Sequence, residues 1–117
     1  MSPTIITDSL TGKVRLVIGG AGGYRIITAV AFTILLHIYY GLDIATSIDS
    51  PRIHHQLFPD SVIVESAFPE EVLRVLHDKY GHEIDGTSYE IEGTIINGIS
   101  VNERGEKYAY PDIRRNE

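Results

Sequence analysis

Val14-Arg15-Leu16-Val17-Ile18 runs directly into Gly19-Gly20-Ala21-Gly22-Gly23, and from there into Tyr24-Arg25-Ile26-Ile27-Thr28-Ala29-Val30. The reading of this stretch decides the fold. Residues 14–18 are β-branched or apolar at nearly every position, the pattern of a strand covered on both faces by helices. The glycine cluster then implies an abrupt loop over Gly19 to Gly23. From Tyr24 to Tyr40 apolar residues fall all round a helical wheel, with Ile26, Val30, Ile34 and Ile38 on one stripe and Ile27, Ala31 and Leu35 beside it. That pattern predicts a helix buried in its middle.

Working outward, Thr4-Ile5-Ile6-Thr7 is a second β-branched run, and Asp8-Ser9-Leu10-Thr11-Gly12 supplies turn residues, so the two runs read as a hairpin. Asp43 is placed to cap a short helix over Ile44 to Ile48, which Pro51 stops. Ser61 to Glu65 reads as a strand. Pro69 opens a third helix with Glu70 and Glu71 in its first turn, Val72, Leu73, Leu76 and Tyr80 as its stripe, and Gly81 as its end. Strands are expected around Tyr89 to Ile91, Ile99 to Val101 and Lys107 to Tyr110, so the sheet draws on both ends of the chain. The tail from Tyr110 to Glu117 is polar and expected on the surface. The class is α+β, with residues 1–117 as one unit.

A chain of 117 residues holds one core at most, and 43% hydrophobic with 22% charged residues is the balance of a folding chain. Its net charge of −6 argues against a nucleic-acid partner. With no cysteine there is no disulfide framework, thiolate nucleophile or thiolate zinc site. Met1 to Ile5 shows no secretory signal, and the uncharged stretch from Ile26 to Leu42 falls short of a membrane span. His54 and His55 are adjacent and diverge on either kind of element, so no metal site and no cofactor are expected. His37 reads as a hydrogen-bonded core residue, and His77 and His82 as cations complementing the end of the third helix.

The glycine loop carries the chemistry. Glycines between a strand and a helix combine close backbone approach with the unpaired N–H groups of a helix start, which is a seat for negative charge. A phosphate loop is disfavoured because Tyr24-Arg25 stand where Lys-Ser/Thr is required, and the dinucleotide pattern, begun by Gly20 and Gly22, is only a weak near-match with Arg25 where glycine is needed. A carboxylate or a developing oxyanion remains, with the amides of Gly22 and Gly23 as donors. A tight turn serving strand-to-helix packing is the other reading that the residues allow.

Met1-Ser2-Pro3-Thr4-Ile5, Gly12-Lys13-Val14-Arg15, Gly19 to Gly23 with Arg25-Ile26, Pro51-Arg52-Ile53-His54-His55-Gln56 with Pro59, and Asp112-Ile113-Arg114-Arg115 occur in this order. Together they resemble the carboxy-terminal part of the small subunit of γ-glutamyltranspeptidase, also called glutathione hydrolase. The resemblance implies a partial N-terminal-nucleophile hydrolase fold, an αββα sandwich incomplete in this chain. It implies cleavage and transfer of γ-glutamyl groups from glutathione, with Gly22 and Gly23 as backbone oxyanion hole and, with Met1, as substrate contacts. In the family a threonine at a new amino terminus is the nucleophile, and two serines that hold the glutamyl carboxylate directly precede the Met-Ser-Pro segment. Neither the threonine nor the serines are matched here, so the chain is expected to be inactive alone. Pro51-Arg52 and His54-His55-Gln56 are expected to brace the fold. The implied partners are the amino-terminal part of the small subunit and the large subunit, and uncovered apolar faces should make the chain seek them. The implied location is the outer face of the plasma membrane, or the periplasm. The alternative from a different class is a non-catalytic module holding a small carboxylate or a partner's acidic terminus.

Overall fold

The computed structural model describes residues 1–88 and 93–115. Strand β1 (Thr4–Thr7) pairs antiparallel with β2 (Val14–Ala21), β2 with β6 (Ile95–Val101), and β6 with β7 (Lys107–Pro111). This four-stranded sheet, in the order β1-β2-β6-β7, therefore joins the two ends of the chain. The predicted hairpin forms around Asp8, whose carboxylate accepts the amides of Leu10 and Thr11 at 3.0 and 2.8 Å. A second sheet holds β3 (Ile53–His54), β4 (Val62–Glu65) and β5 (Ile84–Ser88); β4 and β5 run parallel across the connecting α3 (Glu70–Asp78).

Helix α1 (Ile26–Ile34) follows a 3-10 turn over Gly23–Arg25 and ends in a wider π turn over Leu35–Tyr39. Helix α2 (Ile44–Asp49) is capped as predicted, the Asp43 carboxylate accepting the Thr46 amide at 2.9 Å. Both helices lie on one face of the four-stranded sheet. The core is Leu16, Ile18 and Ile96 from the sheet against Ile26, Ala29, Val30, Ile44 and Ile48.

Several expectations require correction. The loop is shorter than the glycine run, because Gly19, Gly20 and Ala21 continue β2. Gly20 serves close packing there: a Cβ on it would fall 2.5 Å from Ile96 Cδ1 and 3.4 Å from Ile26 Cγ2. Strand β2 is covered on one face only, and its burial alternates. The all-round apolar helix is likewise buried on one side, with Ile27, Leu35 and Ile38 exposed. Helix α3 forms where expected, yet none of its residues is buried. His37 is half-buried rather than core, its Nδ1 2.7 Å from the Leu42 carbonyl oxygen. A strand appears at Ile84–Ser88, whereas Tyr89 to Ile91 lie outside the described residues. The short β3, inside the Pro51 to Gln56 segment, had no period by which to be read.

Candidate functional site

The pairing of β2 with β6 ends at Ala21 opposite Ile95, one residue before the glycine pair. Gly22 and Gly23 then take φ values of +126° and +70° and stand exposed. Among the described residues, neither amide takes part in the turn and loop hydrogen bonds. The two glycines are required for different reasons. A Cβ on Gly22 would lie 2.5 Å from Thr94 Cα and 2.8 Å from Thr94 Oγ1, whereas Gly23 has open space and needs only its left-handed backbone. The chain turns directly into the 3-10 turn and α1, whose start has no side-chain cap. Amides at the head of a helix are donors suited to a carboxylate or an oxyanion.

Thr94, which packs against Gly22, belongs to a buried ionic cluster. Arg52, 1% exposed, donates from Nη1 to the Thr94 carbonyl at 2.7 Å and from Nη2 to Asp112 Oδ2 at 2.5 Å. Asp112 Oδ2 also accepts the Ile96 amide at 2.8 Å. Arg114 donates to both Glu65 oxygens, at 2.8 and 2.6 Å, and from Nη1 to Asp112 Oδ1 at 3.0 Å. Burial pushes the Asp112 carboxyl up, but the Arg52 hydrogen bond, the Ile96 amide and the Arg52 charge outweigh it and hold the group below its ordinary value. Burial opposes the Arg114 charge, and the Glu65 carboxylate more than restores it. Within the expected surface tail, Pro111, Ile113 and Arg115 are exposed, but Asp112 is buried and Arg114 nearly so. Arg52 and Asp112 are 60 residues apart, and a long-range pair has no local period that sequence reasoning could detect.

His54, 3% exposed, lies on the other side of the loop. Its Nδ1 is 2.7 Å from Thr28 Oγ1, and that hydroxyl donates to the Arg25 carbonyl at 3.1 Å. Its Nε2 lies 2.9 Å from Gln56 Oε1, while Gln56 Nε2 donates to the Phe58 carbonyl at 2.7 Å. The Phe58 contact fixes which end of the Gln56 amide faces His54. The Tyr24 ring covers the imidazole at 5.7 Å. Arg52 and His54 brace the fold as expected, and both braces end at the glycine loop.

Met1 is fully exposed, at the glycine end of the sheet. Thr4 opposes Ile18, and Pro3 Cα lies 3.6 Å from the Cβ position of Gly19, so the chain entering β1 runs beside the end of β2. A cavity of about 1110 Å³ lies at the opposite end and is lined by Asp8, Arg15, Asn102 and Tyr108 among others. Among the described residues, no group of His, Asp or Glu could hold a metal ion, and no helix is long and apolar enough to cross a membrane.

Two mixed layers with a glycine turn between strand and helix define the class: the solved structures that share this architecture are N-terminal-nucleophile hydrolases, of which this chain covers part. The gamma-glutamyltranspeptidase family profile matches residues 1–117, and the chain belongs to that family. It is 40% identical over 114 residues to the glutathione hydrolase proenzyme of Escherichia coli, covering 97% of this chain and 19% of that protein. It is 45% identical over 83 residues to glutathione hydrolase proenzyme 1 of Schizosaccharomyces pombe, covering 71% of this chain and 13% of that protein. A mutant of the Helicobacter pylori gamma-glutamyltranspeptidase superimposes with a TM-score of 0.83 at 36% identity, over 97% of this chain and 60% of that one. An acivicin-inhibited gamma-glutamyltranspeptidase gives 0.85 at 35% identity, over 100% of this chain and 61% of that one. The chain thus spans a fifth or less of these curated relatives. The family activity is that of a γ-glutamyltransferase and glutathione hydrolase.

Proposed function

We propose that this chain supplies the oxyanion half of a γ-glutamyl-cleaving site, corresponding to the carboxy-terminal part of the family's small subunit. The amides of Gly22 and Gly23 would donate to the oxygen of the tetrahedral intermediate formed when a hydroxyl nucleophile attacks the γ-glutamyl amide. The acyl group then passes to water or to an amine. One observation carries this reading: the β2–β6 ladder stops at Ala21, leaving Gly22 and Gly23 as exposed residues at a helix start. The antiparallel register brings Met1 and whatever precedes it in a complete protein toward the same loop, where the glutamyl group would lie. The nucleophile and the grip on the glutamyl amine and carboxylate come from residues outside this chain, and an oxyanion hole with no attacking group has no intermediate to stabilise. The partners are the amino-terminal part of the small subunit and the large subunit, with glutathione as substrate. We place the complete protein outside the cytoplasmic membrane, as the resemblance implies; fractionation of cells expressing it checks this.

A chromogenic γ-glutamyl anilide tests the reading. The chain alone gives no turnover, and the chain assembled with the missing portions does. In that assembly Gly22→Ala keeps the N–H but puts a Cβ 2.5 Å from Thr94 Cα and so shifts the amide, lowering kcat by about 10²–10³, as much as losing one oxyanion donor, with KM changed less. Turnover by the chain alone, or an unaffected Gly22→Ala assembly, overturns it. Calorimetry separates the alternative: binding of succinate by the chain alone as tightly as glutamate would make it a carboxylate-binding module.

A further inference from the structure

We infer that the Pro51 to Gln56 segment positions the glycine loop, gripping it from two sides through Arg52 and His54. The functional consequence rests on the proposed oxyanion role; the grip itself is a matter of loop order. On one side Arg52 fixes the Thr94 carbonyl at 2.7 Å, and Asp112, itself paired with Arg52, holds the Ile96 amide two residues further on. Thr94 is the floor on which Gly22 rests, since its Cα occupies the space a Gly22 side chain would need. On the other side His54 holds the Thr28 hydroxyl, which reaches the carbonyl of Arg25, the N-cap of α1.

The physical need is clear. Two consecutive glycines have the largest backbone freedom in the chain. An oxyanion hole stabilises a transition state only if its donors are held in place beforehand. The rigidity that the glycines lack must come from their neighbours, and the two buried residues that provide it are two positions apart, on one side of an extended segment. Neither touches the glycine amides, so both are positioning residues.

Amide hydrogen exchange on the full chain, without substrate, tests the grip. Thr28→Val removes the hydroxyl at nearly constant volume, and Thr28→Ser keeps it. Exchange across residues 22–30 should rise about fivefold in Thr28→Val, the fold-change of one ordinary hydrogen bond, and stay near wild type in Thr28→Ser. Residues 4–18 should hardly respond. Arg52→Lys keeps a charge for Asp112 but gives up the fork to Thr94, and should likewise loosen residues 22–30 selectively. Unchanged exchange in Thr28→Val, an equal rise in both segments, or a serine variant behaving like valine overturns the inference. An inactive Gly22→Ala assembly beside an unchanged Thr28→Val exchange would uphold the oxyanion role and reject the grip.

Discussion

The two faces of the four-stranded sheet are built from similar residues and differ in what covers them. Toward α1 and α2, Leu16, Ile18 and Ile96 are buried, Leu16 with 0% exposure. On the far face Ile5, Val17, Ile99 and Ala109 are direct partners across all four strands, yet Ile5 is 64% and Val17 37% exposed. Such a row of opposed apolar side chains normally lies inside a sandwich, against a second layer. The comparison teaches that strand composition reports the cover a sheet has in its complete fold, and the chain spans 60% of the Helicobacter pylori chain it matches.

The largest effect is expected from the ionic cluster beneath the covered side. Asp112→Ala leaves Arg52 buried without its partner and frees the Ile96 amide, at a cost of about 3–5 kcal/mol, read from the urea midpoint. Asp112→Asn adds a pH signature. A carboxyl held below its unfolded value contributes stability that is present above about pH 3.8 and lost as pH falls through its lowered folded value. The asparagine variant should therefore lack that acid-side loss, and a wild-type-like acid limb would refute the assignment.

Next come the faces themselves. Leu16→Ala on the covered face should cost about 2–5 kcal/mol. Val17→Ala, its neighbour on the open face, should cost less than about 1 kcal/mol in the chain alone. Equal losses would break the comparison. Val17→Lys sharpens it: solubility of the isolated chain should rise, and co-purification with the portion of the family protein that the chain does not span should be lost. Retained association with that portion would show that the open face is not where the second layer sits.

Sequence alone reached a good part of the fold through local signals. The Asp8 turn, the Asp43 cap and the Pro69 to Gly81 helix each depend on residues within a few positions of one another. The glycine pair was also legible, since strand, glycines and helix are contiguous. What stayed hidden depends on distance or on absence. The Arg52–Asp112 pair and the Thr94 floor join segments dozens of residues apart, and nothing in the local sequence marks Asp112 as buried. The expectation that β2 is covered on both faces followed its apolar composition, which cannot say whether the covering layer belongs to the same chain.

The smallest expected effect contrasts the buried pair with an exposed one at the end of α3. The Asp78 carboxylate, 2.9 Å from His77 Nδ1, raises the imidazole above its ordinary value of 6.5, against a small opposing effect of desolvation. A group raised in the folded state contributes stability that is full below pH 6.5 and disappears as pH climbs through the raised value. His77→Gln should therefore remove a slight excess in urea midpoint at pH 6 over pH 8 and leave the acid limb owed to Asp112 untouched. Because both partners are solvated, salt should erase the same excess in the wild type, whereas it should barely move the Asp112 limb. A His77→Gln chain that keeps the wild-type difference between pH 6 and pH 8 would show that this pair adds nothing.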